Sequence, residues 1–150
     1  MKAAFLVDTN VLVYAYDPSD QVKRQRATDV LRSLWHTNTG ALSAQVLGEF
    51  YVTVIRGIPS PLTPRDAEQS ITRYMRSWEV YPVTAWAVRE AVQATQRYSM
   101  QFWDALIWAT AKFNQVPTIL TEDFTDGRTI EGVRYINPFA PAFSMALLKQ

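Results

Sequence analysis

Four of the fourteen acidic residues stand where an acid is costly. Asp8 follows Phe5-Leu6-Val7 and precedes Val11-Leu12-Val13, and Glu49 sits inside Val46-Leu47-Gly48-Glu49-Phe50-Tyr51-Val52. Asp104 lies within Phe102-Trp103-Asp104-Ala105-Leu106-Ile107-Trp108, and Asp123 comes just after Thr118-Ile119-Leu120. None of these apolar segments carries a lysine or arginine to neutralise its acid locally. A carboxylate in such surroundings has to be paired, hydrogen-bonded or bound to a metal. Several carboxylates gathered at one place offer oxygen ligands to a hard cation such as Mg²⁺ or Mn²⁺, whose charge removes their mutual repulsion. Each acid also has an ordinary use. Asp8 can cap a turn containing Asn10, and Glu49 can pair with an arginine elsewhere in the fold. Asp104 can be a helix acid favoured by the macrodipole, and Asp123 can belong to a turn with Asp126 and Gly127. One shared pocket is a simpler account than four separate coincidences.

Other chemistries have less material. There is no cysteine and a single histidine, His36, so disulfides, thiolate zinc sites and Cys/His catalysis are excluded. A Ser-His-Asp triad would depend on His36 alone, which sits in a polar stretch after a helix and reads as a surface turn. The five glycines form no phosphate loop of the P-loop or dinucleotide type. A net charge of +1 marks no dedicated nucleic-acid surface. The one dense basic cluster, Lys23, Arg24 and Arg26, reads as a solvated helix face, so any contact with nucleic acid has to be local. Apolar runs fall far short of the ~18 residues that suggest a membrane span. Asp8 ends the apolar start too early for a signal peptide, so a soluble, cytoplasmic protein is expected.

The acids need elements to hold them. Ala4-Phe5-Leu6-Val7 is wholly apolar, as befits a central strand of a parallel sheet covered on both faces. A helix is expected from about Asp20 to Trp35, with Ala27, Val30, Leu31 and Leu34 on one stripe. Gly40-Ala41-Leu42 reads as a weak strand, after which Ser43 caps a helix carrying Glu49 and ending at Arg56, Gly57 and Pro59. Thr63-Pro64-Arg65-Asp66 is a strong helix start, leading to Ala67, Ile71, Tyr74, Met75 and Trp78 along one face. Val80-Tyr81-Pro82-Val83 is extended. Thr84 then caps a helix expected to turn Val88, Ala91 and Val92 inward and Arg89, Glu90 and Gln93 outward. A helix near Phe102 to Asn114 is apolar almost all round, and Pro117-Thr118-Ile119-Leu120 and Val133-Arg134-Tyr135-Ile136 read as further strands. Strands alternating with helices imply a single α/β domain over residues 1–150 with a mainly parallel sheet. Such sheets bind ligands at the carboxyl ends of their strands, where Asp8 and Asp123 both fall.

These residues resemble a known family. Val7-Asp8-Thr9-Asn10-Val11-Leu12-Val13-Tyr14-Ala15 looks like the opening motif of PIN-domain proteins. Ser43-Ala44-Gln45-Val46-Leu47-Gly48-Glu49-Phe50 resembles their second motif, Phe102-Trp103-Asp104-Ala105 the third and Leu120-Thr121-Glu122-Asp123-Phe124 the fourth. Gly132-Val133-Arg134-Tyr135-Ile136-Asn137-Pro138-Phe139 is similar to the last strand of bacterial members. The resemblance runs from Phe5 to Phe139 and implies a three-layer α/β/α sandwich. It also implies a Mg²⁺- or Mn²⁺-dependent endoribonuclease that hydrolyses phosphodiester bonds with metal-activated water, most often the toxin of a VapBC-type toxin–antitoxin pair. Asp8, Glu49, Asp104 and Asp123 match the family's acidic metal ligands, with Asp126 the alternative to Asp123. Thr9, Asn10 and Thr121 match polar positions that support the ligands or the bound phosphate. The same resemblance implies an RNA substrate, an antitoxin partner and a homodimer. Arg56 and Arg128 are candidates for phosphate contact, with surface charge the ordinary alternative.

Two other readings compete. One is a different metal-assisted enzyme, a phosphatase or a nuclease acting on DNA. A haloacid-dehalogenase-like phosphatase needs a second aspartate two residues after its nucleophile, and Asn10 occupies that position. The other is a non-catalytic PIN-like binding module, against which the intact acid set argues. Trp78, Trp86 and Tyr98 could serve an interaction surface, although core packing accounts for any one of them.

Overall fold

The computed structural model describes residues 2–149. Its centre is a six-stranded sheet in the order β3-β2-β1-β4-β6-β5. The strands are β1 (Phe5–Val7), β2 (Gly40–Ser43), β3 (Glu79–Tyr81), β4 (Thr118–Leu120), β5 (Thr129–Ile130) and β6 (Val133–Ile136). All neighbours are parallel except β5 and β6. β1 is buried along its whole length, with Leu6 aligned to Ala41 on one side and to Ile119 on the other. An apolar strand in that position is stable because helices cover both faces. The result is the expected three-layer α/β/α arrangement.

The helices begin where side chains satisfy their free N–H groups. They are α1 (Thr9–Tyr14), α2 (Gln21–Thr37), α3 (Ala44–Arg56), α4 (Pro64–Ser77), α5 (Ala85–Tyr98) and α6 (Phe102–Phe113). Asp20 caps α2, Ser43 caps α3, Thr63 caps α4 and Thr84 caps α5, each accepting from the N–H three residues on. The core between helices and sheet is anchored by Trp108, Tyr135 and Phe50, all fully enclosed. Gly40 opens β2 where the ring of Trp78 crosses it, since a Cβ there would lie 2.3 Å from the Trp78 Cζ3 atom.

The chain departs from the sequence expectations at several points. Thr9–Tyr14 is a helix that periodicity did not reveal, because Val11, Leu12 and Val13 are all buried and leave no polar face to alternate. β5 was also unforeseen: two residues joined to β6 through Glu131 and Gly132, both at positive φ, as a tight hairpin turn requires. A 3₁₀ turn at Met145–Lys149 was not expected either. His36 lies inside the last turn of α2, on its exposed side, and not after the helix. Val88 and Val92, expected inward, are 39% and 43% exposed. The inward face of α5 is built from Ala87, Ala91 and Ala94, whose small side chains let α5 lie close against α6. Met75 is likewise exposed, at the edge of the face formed by Ala67, Ile71 and Tyr74. Among the described residues, no helix is long and apolar enough to cross a membrane.

Candidate metal centre

The sheet changes direction of winding at β1, whose successor β2 lies on one side and β4 on the other. That split leaves a crevice at the carboxyl ends of β1 and β4, and each strand is followed there by a polar residue, Asp8 and Thr121. Asp8 follows β1 directly and caps α1, its Oδ1 accepting from the Thr9 N–H at 2.7 Å. The capping role weighed for Asp8 is therefore real, and it leaves Oδ2 for other partners. Oδ2 accepts from the Thr121 hydroxyl at 2.7 Å. Thr121 comes straight after β4 and is itself anchored, its N–H donating to the Ile136 carbonyl at 3.0 Å.

Asn10 ties the two strand ends together. Its Nδ2 donates to Thr121 Oγ1 at 3.1 Å and to Asp123 Oδ2 at 3.0 Å, and its Oδ1 accepts from the Glu122 N–H at 3.4 Å. Asp104 enters from the first turn of α6, where Gln101 caps the helix by accepting the Asp104 N–H at 3.1 Å. Asp8, Asp104 and Asp123 each present a carboxylate oxygen, and these oxygens lie within 4.8 Å of one another. Asp8 is buried, Asp104 half-buried and Asp123 exposed, so the group opens toward solvent at one end.

Glu49 stands beside this trio and outside it. On α3 it accepts from Thr9 Oγ1 at 2.6 Å and from Gln45 Nε2 at 3.1 Å. The same Gln45 Nε2 donates to the Trp103 carbonyl at 2.9 Å, which joins α3 to the start of α6. Asp126, the alternative to Asp123, accepts from the backbone N–H of Asn137 at 2.9 Å. It is Asp123 that the structure brings to Asp8 and Asp104.

The charges at this site are unbalanced. Burial pushes the Asp8 carboxyl up to about 7, against the hydrogen bonds from Thr121 and Thr9, and the charges of Asp123 and Asp104 add to the rise. Asp104 is raised by burial, then by Asp123 and by Glu49. Among the described residues, none of the four acids forms a salt bridge. Clustered, partly buried oxygens without a cationic side chain match the donor set of a hard divalent ion.

Lys23 was expected to be a solvated helix residue and instead reaches this edge. Its Nζ lies 2.9 Å from Glu122 Oε2 and 3.2 Å from Tyr14 Oη, and Tyr14 donates to Glu122 at 2.5 Å. Lys23 and Glu122 are 99 residues apart, so no local pattern links them. Gln45 was within reach of it, one helical turn before Glu49 and on the same face. A cleft of about 340 Å³ opens beside Asp123, lined by Thr9, Asn10, Tyr14, Asp17 and Ile58 among others. Arg56 and Arg128 are both exposed.

Residues 5–125 match the family model described as the PIN domain. No curated protein matches the chain. Among solved structures, the chain is similar to one in a toxin–antitoxin complex from Klebsiella pneumoniae, with 21% identity over 89% of this chain and 97% of that one, at a TM-score of 0.66. It is also similar to VapC20 of Mycobacterium tuberculosis, described as a sarcin-ricin loop cleaving toxin, with 20% identity over 77% and 86% and a TM-score of 0.59. A third is a chain of VapBC2 from Rickettsia felis bound to a DNA fragment from their promoter, with 18% identity over 90% and 97% and a TM-score of 0.61. At these identities the likeness is one of fold.

Proposed function

Because the chain belongs to the PIN domain family, we propose that it is a divalent-cation-dependent endoribonuclease, the toxin of a VapBC-type pair. The observation that carries this is the trio Asp8, Asp104 and Asp123, whose oxygens converge within 4.8 Å without a cationic partner. Support for the toxin reading comes from the similar structures, which include a toxin–antitoxin complex and a toxin that cleaves an RNA loop.

Asp8, Asp104 and Asp123 would hold Mg²⁺ or Mn²⁺, with Glu49 beside them. When bound, such a cation supplies phosphate binding, neutralisation of developing charge and a more acidic water. The remaining work falls to the chain. Thr121 and the Thr9 N–H occupy fixed lone pairs of Asp8, so that its free oxygen face is the one toward the other acids. Thr9 holds Glu49 by its hydroxyl, and Asn10 holds Asp123 by its amide. With these three acids so oriented beside Asp104, the scissile phosphodiester is placed for water to add at phosphorus while the bond to the 3′ oxygen breaks. The products are a 5′ phosphate and a 3′ hydroxyl. The open cleft beside Asp123 suits a splayed single strand or loop better than a stacked duplex. Met75 and Trp86, 62% and 68% exposed, are apolar surface for the protein contacts proposed with it, an antitoxin and a second copy of the chain.

The test is cleavage of labelled RNA with Mg²⁺ or Mn²⁺, with and without EDTA, by the wild type and by Asp8→Asn. Cleavage that survives both chelation and the substitution would overturn the proposal, and a preference for DNA would move it to another nuclease class. For the toxin role, the chain is expressed alone and with the product of the adjacent upstream gene. Growth arrest relieved by the second protein supports it, whereas normal growth at good expression favours a different nuclease role.

A further inference from the structure

Behind the acids lies a hydroxyl that has no use in the fold. Tyr135 sits on β6 opposite Ile119 of β4 and is 1% exposed. Its ring stacks on Phe124, the residue after Asp123, with centroids 4.3 Å apart and planes 20° from parallel. Burial, followed by the charges of Asp104 and Asp8, keeps the phenol protonated, so the ring end lies within the field of both acids. Yet Tyr135 Oη has no hydrogen-bond partner, a property shared, among the buried side-chain polar atoms of the described residues, only by Gln45 Oε1. A hydroxyl shut away from water without a partner weakens a core, and phenylalanine would fill the same space without that penalty. Packing explains the ring and leaves the oxygen unexplained.

We infer that Tyr135 is a positioning residue of the cation site, its hydroxyl hydrogen-bonding the hydration shell of an ion held by Asp8, Asp104 and Asp123. This rests on the reading of those acids as cation ligands. A small divalent ion held by few carboxylates keeps several of its waters, and these need partners in the pocket. A neutral phenol both donates and accepts, so it can serve such a water in either sense. The hydroxyl makes no direct bond to Asp8 or Asp104, so water is the partner through which it can reach them. Tyr135 would then act on the ion only through that shell, and its partner would arrive with the ion.

Calorimetric titration of Mn²⁺ into the wild type and Tyr135→Phe tests this, together with thermal melting of both proteins without metal. The variant is expected to bind Mn²⁺ about tenfold more weakly, as is typical when a group behind metal ligands is removed. Its metal-free melting temperature is expected to be unchanged or higher, because the substitution deletes an unpartnered group. A purely structural tyrosine would give the opposite pattern. Equal Mn²⁺ affinities would overturn the inference, and so would a lower metal-free melting temperature, which would mean that the hydroxyl already has a partner. A wild type that binds no Mn²⁺ at all would remove the cation reading of the acids as well, which separates the two failures.

Discussion

The Thr121 hydroxyl donates a hydrogen bond to Asp8 across the junction of β1 and β4, with Asp8 Oδ2 2.7 Å from Thr121 Oγ1. The same Oγ1 accepts from Asn10 Nδ2 and from the Asp123 N–H, both at 3.1 Å. One threonine, 1% exposed, therefore sets the buried acid and the loop of the exposed acid at once. Thr121→Val keeps the shape and strands three polar partners. It is expected to cost about 1–3 kcal/mol of stability in urea unfolding and to weaken Mn²⁺ binding. Thr121→Ser keeps the hydroxyl and should stay near the wild type in both measurements. A valine variant with unaltered Mn²⁺ affinity would show that the bond has no part in the site.

Asp8 makes the fold sensitive to pH in an unusual direction. Its carboxyl is held up to about 7, mainly by burial, against ~3.9 for an aspartate in an unfolded chain. The folded protein thus retains the proton longer than the unfolded one. The stability this contributes is full below about pH 4 and is lost as pH rises through about 7, by at most roughly 4 kcal/mol. Metal-free wild type should therefore melt progressively lower from pH 5 to pH 8, relative to Asp8→Asn, which lacks the titration. Mn²⁺ should restore the wild type at pH 8 and do little for the variant. Parallel melting curves for the two proteins across this range would contradict the assignment.

Glu122 neighbours the site in sequence and is committed elsewhere, to Tyr14 at 2.5 Å and Lys23 at 2.9 Å. The Lys23 and Glu122 side chains are 35% and 22% exposed, so water screens the pair. Glu122→Gln is expected to lose less than about 1 kcal/mol of stability and to bind Mn²⁺ like the wild type. Asp123→Asn should bind it more weakly. If the two variants lose Mn²⁺ equally, Glu122 is a ligand after all.

Two glycines respond oppositely to the same methyl group. At Gly40 it would collide with the Trp78 ring at 2.3 Å, so Gly40→Ala should cost about 1–3 kcal/mol by overpacking. At Gly48, within α3, it meets nothing within 4 Å, so Gly48→Ala should add up to about 1 kcal/mol by helix propensity alone. Urea midpoints of the two variants check both signs.

The elements around the acids were legible because local chemistry announces them. Ser43, Thr63 and Thr84 cap helices where their spacing to the following residues says they should, and the apolar β1 declares a buried central strand. The misread parts are those whose reason is non-local. Val88 and Val92 are apolar yet outward, because the close approach of α5 to α6 selects alanine for the inner face. β5 has only two residues, and Glu131-Gly132 is not one of the dipeptides that advertise a hairpin. At the site, apolar flanks singled out Asp8, Asp104 and Asp123, and the fold brings these together. The apolar setting of Glu49 read the same way, although its own oxygens are engaged by Thr9 and Gln45. Lys23 beside Glu122 and Tyr135 beneath the acids depend on strand order, which no local pattern carries.

The strand order also sets a timetable. β1 is made before one of its two neighbours, β4, which follows only about 110 residues later, several seconds at ~5–20 residues per second of synthesis. During that interval Asp8 waits beside an open strand edge, without Thr121 or Asp123. A polypeptide cut short before β4 therefore lacks both Thr121 and Asp123, and a growing one leaves Asp8 without them until β4 has been made. If the cation site is what cuts, synthesis itself withholds the blade until β4 has been made.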